Sequence, residues 1–164
     1  MAFVRRATAV TALVIALAAC GGGSGPVRVT GAPVPTGAAA ESCRKLLAAL
    51  PDSLGKGLGR RAVSPAGVSA AAYGKAPVLL TCGQEGVAAG YQKTSQVAQV
   101  QGVSWFSQEA DGRTSLSTPT RRPQITILLP HSLDAWDILV TAAPAITAHT
   151  VSTVPETPDP PPVP

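Results

Sequence analysis

The sequence predicts an α+β domain, a two-layer sandwich in which a mostly antiparallel sheet of four to five strands packs against an N-terminal and a C-terminal helix. Apolar residues recur at helical spacing near both ends of residues 41–150. Between them, short apolar or alternating segments are separated by turns rich in Gly and Pro. Cys43 and Cys82 are available for one disulfide. Helices that bracket a series of short strands are typical of this fold class.

The first helix is predicted for residues 42–50. Ser42 is a capping residue, and Pro51 ends the helix because proline cannot continue it. The apolar face consists of Cys43, Leu46, Leu47 and Leu50. A further short helical turn is predicted for residues 69–73.

Five segments have the composition of strands. Gln101 and Gly102 separate two of them, and glycine at the second turn position suits a tight hairpin that needs positive φ there. Strict alternation makes the last segment the clearest strand. The five segments are residues 76–82, 97–100, 103–106, 113–118 and 124–129.

A final helix is predicted to begin with Ser132 as its cap. Its apolar stripe consists of Leu133, Trp136, Leu139, Val140 and Ala143. We expect Trp136 and Leu139 to pack on the strand pair around Ile127 and Leu79. Pro144 should kink or end this helix.

The N-terminus has the pattern of a bacterial lipoprotein signal peptide. Arg5 and Arg6 precede an uncharged segment, residues 7–19, and small residues lead to Cys20. A transmembrane helix is the first alternative, but 13 residues give only about 20 Å of helix against a hydrocarbon core of about 30 Å. A cleaved signal without lipid is the second, and the cysteine at the cleavage position argues against it. We therefore expect Cys20 to be acylated.

This interpretation divides the chain into four parts. Residues 1–19 are the signal peptide, and residues 20–40 are the lipidated cysteine followed by a flexible Gly/Pro tether. Residues 41–150 form a single α+β domain. Residues 151–164 are a Pro-rich disordered tail, because each proline removes a hydrogen-bond donor and restrains its neighbour.

The chain has three cysteines. Lipidation of Cys20 leaves Cys43 and Cys82 as an even pair in an oxidising compartment, which predicts a disulfide between them. Closing a loop of this length stabilises a fold by about 4 kcal/mol. The alternative is a catalytic or metal-binding cysteine, but neither residue has a neighbouring His and the sequence contains no CxxC motif.

The charge and motif content excludes several classes of function. The formal net charge is only +4, and two of the basic residues lie in the signal peptide, so we expect no nucleic-acid partner. The sequence lacks GxSxG, HExxH and a phosphate-binding glycine loop. With two histidines and no other free thiol, it predicts no catalytic residue, no metal site and no cofactor. The candidate ligand or partner surface consists of Trp105, Tyr73, Arg121 and Arg122.

Several short motifs occur in an order that is similar to one protein family. They are CRKLL from Cys43, LP from Leu50, SPAG from Ser64, AAYG from Ala71, LTCG from Leu80, GVSWF from Gly102 and LP from Leu129. Over residues 41–147 the chain resembles the small exported actinobacterial proteins catalogued as domain of unknown function 3515. The resemblance implies secreted or lipid-anchored placement with paired cysteines, and it implies no activity.

The sequence favours a binding module over an enzyme. We expect a lipoprotein of the cell envelope, held through its lipid on the outer face of the cell membrane, that meets an envelope protein or a cell-wall polymer. One alternative is a small envelope hydrolase or transferase with His131 and Asp134 as the acid–base pair. The other is a lipoprotein that captures a small ligand in a pocket near Trp105.

Overall fold

Seven strands form one antiparallel sheet, and two helices pack against one of its faces. The structure, a computed structural model, describes residues 25–84 and 86–155. In chain order the elements are β1 (Val27–Arg28), α1 (Gly37–Ala49), β2 (Arg60–Arg61), β3 (Val63–Ser64), β4 (Ala70–Tyr73), β5 (Val78–Gln84), β6 (Ala98–Val100), β7 (Val103–Ala110), β8 (Arg113–Ser117), β9 (Arg121–Arg122), β10 (Gln124–Pro130), α2 (Ala135–His149) and β11 (Val151–Ser152).

The strand order in the large sheet is β2-β4-β5-β10-β8-β7-β6. Every neighbouring pair in it is antiparallel. Two small pairings lie outside this sheet: β1 runs parallel to β3, and β11 runs antiparallel to β9. The sheet therefore ends in β2 on one side and in β6 on the other.

The core lies between the helices and the inner face of the sheet. Residues directly opposite one another on neighbouring strands share a face, so the register aligns Ala71, Leu80, Ile127 and Leu116 in one buried row. Cys43 and Leu46 cover this face from α1, and α2 contributes Leu139, Ala142 and Ile146. The predicted alternation of β10 is confirmed, with Ile125, Ile127 and Leu129 buried.

The predicted disulfide between Cys43 and Cys82 is confirmed. The two Cα atoms are 5.5 Å apart, which is within the usual range for the bond. It joins the buried face of α1 to the middle of the sheet at β5. Both residues are buried, so the bridge is part of the core.

The α+β class is confirmed, but the sheet is larger than predicted. The five predicted segments correspond to β5, β6, β7, β8 and β10, and the strands of the large sheet that sequence reasoning missed are β2 and β4. The helical turn predicted for residues 69–73 is wrong, because this segment contains β4. Alanine favours helices, but here β4 pairs with β5 on one side and with β2 on the other, and this tertiary context overrides the local preference.

Both helices begin at other positions than predicted. Helix α1 starts at Gly37 rather than after Ser42, because residues 38–41 are strong helix formers. Helix α2 is capped by Asp134 rather than Ser132, with the backbone N–H of Trp136 donating to Asp134 Oδ1 at 2.8 Å. Pro144 does not end α2, which continues to His149.

The predicted packing of Trp136 is wrong, whereas Leu139 is buried as expected. Trp136 lies in the first turn of α2, and 57% of it is exposed to solvent. The buried side of α2 is centred on Ala142 and includes Ile138 and Ile146, which the predicted stripe leaves out. Trp136 therefore lies at the side of the helix rather than under it.

Part of the predicted tether, residues 20–40, is structured. Val27 and Val29 donate backbone hydrogen bonds to Ala62 and Ser64, and Val29 is buried. At the other end, β11 places residues 151–152 beside β9. Neither helix of the described residues is long and apolar enough to cross a bilayer.

Candidate functional site

The four residues predicted to form a ligand or partner surface do not lie together. Tyr73 is in β4 and Trp105 is in β7, with three strands between them. Both side chains are in the core, at 0% and 1% exposure. Arg121 is also buried, and Arg122 is half-buried. Arg122 is therefore the most exposed of the four.

Tyr73 fixes the chain between α1 and β2. Its phenol O–H donates to the backbone carbonyl of Pro51 at 3.0 Å, and the Arg60 guanidinium lies 6.0 Å from its ring centroid. Burial raises the pKa of the phenol, and the positive charge of Arg60 opposes this only in part. The hydroxyl therefore stays protonated as a structural donor.

Arg121 fastens the end of α2 to the β6–β7 turn. Its Nη1 donates to Thr150 Oγ1 at 3.1 Å, and its Nη2 donates to the carbonyl of Gly102 at 3.4 Å. Thr150 itself donates to the carbonyl of Ile146, in the last turn of α2. The guanidinium is thus used to hold three parts of the domain together.

His131 and Asp134 are not paired with each other. His131 Nε2 lies 2.5 Å from Glu109 Oε2, and both side chains are about half exposed. Asp134 is used as the cap of α2. The acid–base pair that the hydrolase hypothesis needs is not formed by these contacts.

One end of the sheet, which we name the closed edge, is β2 together with the loop that covers it, residues 50–59. The backbone N–H of Arg60 donates to Asp52 at 2.7 Å, and Ser53 forms a bridge with Gly59. The Arg60 guanidinium donates to the carbonyls of Leu47 and Leu50 at the end of α1. The backbone of this edge is therefore hydrogen-bonded within the chain.

The other end, which we name the open edge, is β6. A two-residue turn joins β6 to β7, and Gln101 and Gly102 have φ of 50° and 72°, as a type I′ hairpin requires. In such a hairpin Val100 and Val103 exchange hydrogen bonds, so the next residue, Gln99, directs its N–H and C=O away from β7. Within the described residues, no strand lies beyond β6 to accept them.

A groove of about 680 Å³ runs along the open edge, between β6 and the start of α2. We name it the Trp136 groove. Trp136 is 57% exposed and Val97 is 40% exposed, whereas Trp105 lies beneath them in the core. The remaining lining residues are Gln96, Ala98, Gln99, Val100, Ser107, Leu116, Asp134, Ala135 and Leu139.

The Trp136 groove is largely uncharged and acidic at one end. Among the described residues, Asp134 is the one charged residue in its lining, and Asp137 follows in the first turn of α2. The indole N–H of Trp105 is buried and has no hydrogen-bond partner among the described residues. An exposed indole above an uncharged groove with a carboxylate at its end suits an apolar or cationic binding partner.

A second groove, of about 500 Å³, contains Arg122. We name it the Arg122 groove. Arg122 Nη1 donates to the carbonyls of Pro119 and Arg121. The rest of its lining is mostly small or apolar, consisting of Ala38, Ala39, Ser42, Gly83, Gln84, Gly86, Pro123 and Val151.

Two further predictions concern lipid attachment and metal binding. Cys20, the predicted lipid attachment site, lies outside the described residues. Among the described residues, no three His, Cys, Asp or Glu side chains are grouped so that they could hold a metal ion.

Sequence reasoning missed Trp136 and Val97 as groove residues. Trp136 stands between Asp134 and Asp137, and this charged setting is the local signal that could have placed it at the surface.

Comparison with curated proteins gave no match, and comparison with solved structures gave none either. One protein-family model does match, over residues 4–157, and its description is "Protein of unknown function (DUF3515)". The match includes β1 to β11, both helices and the disulfide. The chain therefore belongs to the DUF3515 family, as its sequence motifs predicted.

Proposed function

We propose that this chain is an extracytoplasmic lipoprotein, anchored to the outer face of the cell membrane through Cys20, that binds an envelope protein in the Trp136 groove. The observation that carries the binding role is the exposed Trp136 beside the outer side of β6, which meets no other strand of the described residues. Large exposed apolar side chains in a groove are typical of interaction sites. A cell-wall polymer is the alternative partner.

The position of the anchor supports this arrangement. Gly25 is five residues after Cys20, so their Cα atoms are at most about 19 Å apart. The carbonyl of Gly25 accepts a hydrogen bond from Arg61 Nη2 at 2.7 Å, and Arg61 belongs to the closed edge. The open edge is six strand spacings away, about 29 Å along the sheet. A lipid at Cys20 would therefore leave the Trp136 groove on the side remote from the membrane.

The charge distribution also supports a closed edge that faces the membrane. Basic residues are frequent in and near it, whereas Asp52 is the acidic residue of the covering loop. Anionic phospholipids attract such basic residues by about 1 kcal/mol each near the surface. The basic residues are Arg28, Lys56, Arg60, Arg61 and Lys75.

The anchor is tested with Cys20→Ala in the full-length chain, expressed in a host that processes lipoproteins. We expect the natural chain to incorporate a clickable fatty acid and to sediment with membranes. The alanine variant should do neither. Fatty-acid labelling that persists in Cys20→Ala would contradict the proposed anchor.

The groove is tested by photo-crosslinking on intact cells. A photoreactive amino acid at Val97, on the rim of the groove, should capture a reproducible partner, and Trp136→Ala in the same chain should abolish the adduct. Val151 is the control position, since it is 73% exposed and lies in the Arg122 groove. Equal capture from both positions, or none from Val97, would contradict the proposed site.

A second candidate function is capture of an anionic amphiphile in the Arg122 groove. The observation that favours it is one guanidinium in a mostly apolar lining. We expect dodecyl phosphate to raise the melting temperature of the natural protein and to leave that of Arg122→Gln unchanged. Dodecanol, which lacks the anionic group, is the control ligand. A shift of the same size in the variant would contradict this candidate.

The third alternative, a small envelope hydrolase or transferase, depends on His131. Its imidazole contacts Glu109 instead of Asp134, so the structure offers this hypothesis no support beyond an exposed histidine. Where deletion of the protein gives a phenotype, His131→Ala should restore growth fully. A His131→Ala variant that fails to complement would favour the enzyme.

A further inference from the structure

We propose that the open edge binds an extended peptide segment of the partner as an added β-strand, with a Lys or Arg of that segment at Asp134 and Trp136. This inference rests on the proposed function and specifies how the partner is recognised. Strand addition to an exposed sheet edge is a common mode of peptide recognition, in which main-chain hydrogen bonds give affinity and alternate side chains give specificity.

The backbone of β6 offers the hydrogen bonds that this mode requires. Gln99 directs both its N–H and its C=O outward. Val97 directly precedes β6, and continuation of the two-residue alternation by one residue would give it the same orientation. Within the described residues, neither backbone meets another strand. One added strand can therefore exchange hydrogen bonds with both residues.

Within the described residues, the open edge lacks three of the features by which proteins protect such edges, although β6 is short at three residues. Charged side chains, proline and covering loops normally prevent strand addition. Residues 96–100 contain none of these side chains, since their sequence is Gln-Val-Ala-Gln-Val. The closed edge has two arginines and a covering loop. In the part of the chain that the structure describes, one end of the sheet is covered and the other is available.

Charge indicates the chemistry of the added segment. In the described part of the chain, Asp134 is the one charged residue in the lining of the Trp136 groove, and Asp137 lies one turn away. A Lys or Arg side chain would meet these carboxylates and could also lie over the exposed indole of Trp136. Small or apolar side chains fit the uncharged remainder of the groove.

The negative charge of Asp134 also argues against two other segments as the added strand. In a second copy of this chain, residues 96–100 carry no cationic side chain, so paired β6 strands would bring no positive charge to Asp134. The C-terminal segment 156–164 contains Glu156 and Asp159 as its charged residues, and its prolines lack the N–H that strand addition uses. Neither segment supplies the Lys or Arg side chain that we expect at Asp134.

Gln99→Pro removes the outward N–H and no backbone hydrogen bond of the hairpin. The hydrogen bond that Gln99 Nε2 donates to Ser104 Oγ at 3.4 Å is lost in Gln99→Ala as well, so comparison of these two variants isolates strand addition. The probe is a display library of random linear peptides, selected on the purified full-length protein. We expect enriched peptides to contain Lys or Arg and to lose roughly tenfold or more in affinity for Gln99→Pro. Gln99→Ala keeps the N–H and should bind like the natural chain. Equal affinity for all three proteins, or no enrichment at all, would overturn the proposal.

Asp134→Asn gives a second test that does not alter β6. Asparagine caps a helix as well as aspartate does, so α2 should be preserved while the charge is lost. We expect roughly tenfold weaker binding of the selected cationic peptides at low salt, and a smaller dependence on salt concentration. An unchanged affinity would overturn the assignment of the cation to this end of the groove.

Two further outcomes separate this inference from the proposed function. If photo-crosslinking in cells depends on Trp136 but is unaffected by Gln99→Pro, the groove binds its partner without strand addition. If the full-length protein forms dimers that Gln99→Pro dissociates, the added strand comes from a second copy. Either result would overturn the inference and leave the membrane anchor untouched.

Discussion

The two ends of the sheet differ in how completely the chain covers them. At the closed edge, the loop over β2 accepts the Arg60 N–H, and the Arg60 and Tyr73 side chains bind the chain that follows α1. At the open edge, β6 is an uncharged strand beside a groove with an exposed tryptophan. The closed edge is thus hydrogen-bonded within the chain, and the surface suited to binding lies at the other end of the sheet.

This difference has a physical basis. A covered edge gains packing and hydrogen bonds, but it offers nothing to a partner. An uncovered edge leaves backbone groups that another chain can satisfy. Substitutions at the closed edge should therefore change the free energy of unfolding, and substitutions at the open edge should change binding.

The largest effect is expected from removal of the disulfide. Cys43 and Cys82 are 39 residues apart in sequence, and closing such a loop stabilises a fold by about 4 kcal/mol on the chain-entropy model. The double variant Cys43→Ser, Cys82→Ser should lose about that free energy of unfolding, measured by urea denaturation. A loss below about 1 kcal/mol would show that the bridge is not needed to hold α1 on the sheet.

A smaller loss is expected from Gly83→Ala, which acts where the N-terminal segment crosses β5. Gly83 has a φ of +101°, and a Cβ there would lie 2.6 Å from the Cβ of Pro35. Backbone strain and this clash together should cost roughly 2–3 kcal/mol, and amide exchange should rise in residues 27–35. Urea denaturation and hydrogen exchange measure the two effects.

Gly86→Ala is the matched control for this prediction. Gly86 also has positive φ, +75°, but a Cβ there would meet open space. Its cost should be about 1 kcal/mol, from the backbone conformation alone. Equal losses in the two variants would show that Pro35 does not hold the N-terminal segment against β5.

Tyr73→Phe tests the hydrogen bond at the closed edge, with an expected loss of about 1 kcal/mol. Burial raises the pKa of the Tyr73 phenol above its value in the unfolded chain, about 10. The stability that the neutral phenol contributes is therefore fully present below pH of about 10 and is lost as the pH rises through the folded-state pKa. The stability gap between the natural chain and the variant should narrow over this alkaline range. A gap that stays constant would contradict the buried, protonated phenol.

Local sequence signals predicted the parts of the fold that local physics determines. The disulfide followed from counting cysteines, and the β6–β7 turn from glycine at a position that needs positive φ. Strand β10 followed from its alternation. Strand β4 was missed because alanine-rich residues 70–72 become a strand only through their partners on β2 and β5.

The candidate site was harder to predict because it depends on which strand ends the sheet. The order β8-β7-β6 makes β6 an edge, and no pattern within residues 96–100 reveals this. The position of Trp136 was predicted wrongly because the buried side of α2 includes Ile138 and Ile146, which lie away from the predicted stripe. In the observed helix it lies about 120° around the axis from Ala142, the centre of the buried side.

The smallest effect on stability is expected from Trp136→Ala, and this result would sharpen the contrast between the closed and open edges most. More than half of Trp136 is exposed at 57%, and alanine is the better helix former, so the free energy of unfolding should change by less than about 0.5 kcal/mol. Trp105→Ala removes the same side chain from the core and is the matched control, which has to be far more destabilising. A large loss from Trp136→Ala in urea denaturation would make Trp136 part of the core. A negligible loss would show that the exposed Trp136 side chain contributes little to the free energy of unfolding. A residue at the open edge that serves binding rather than stability must meet this condition.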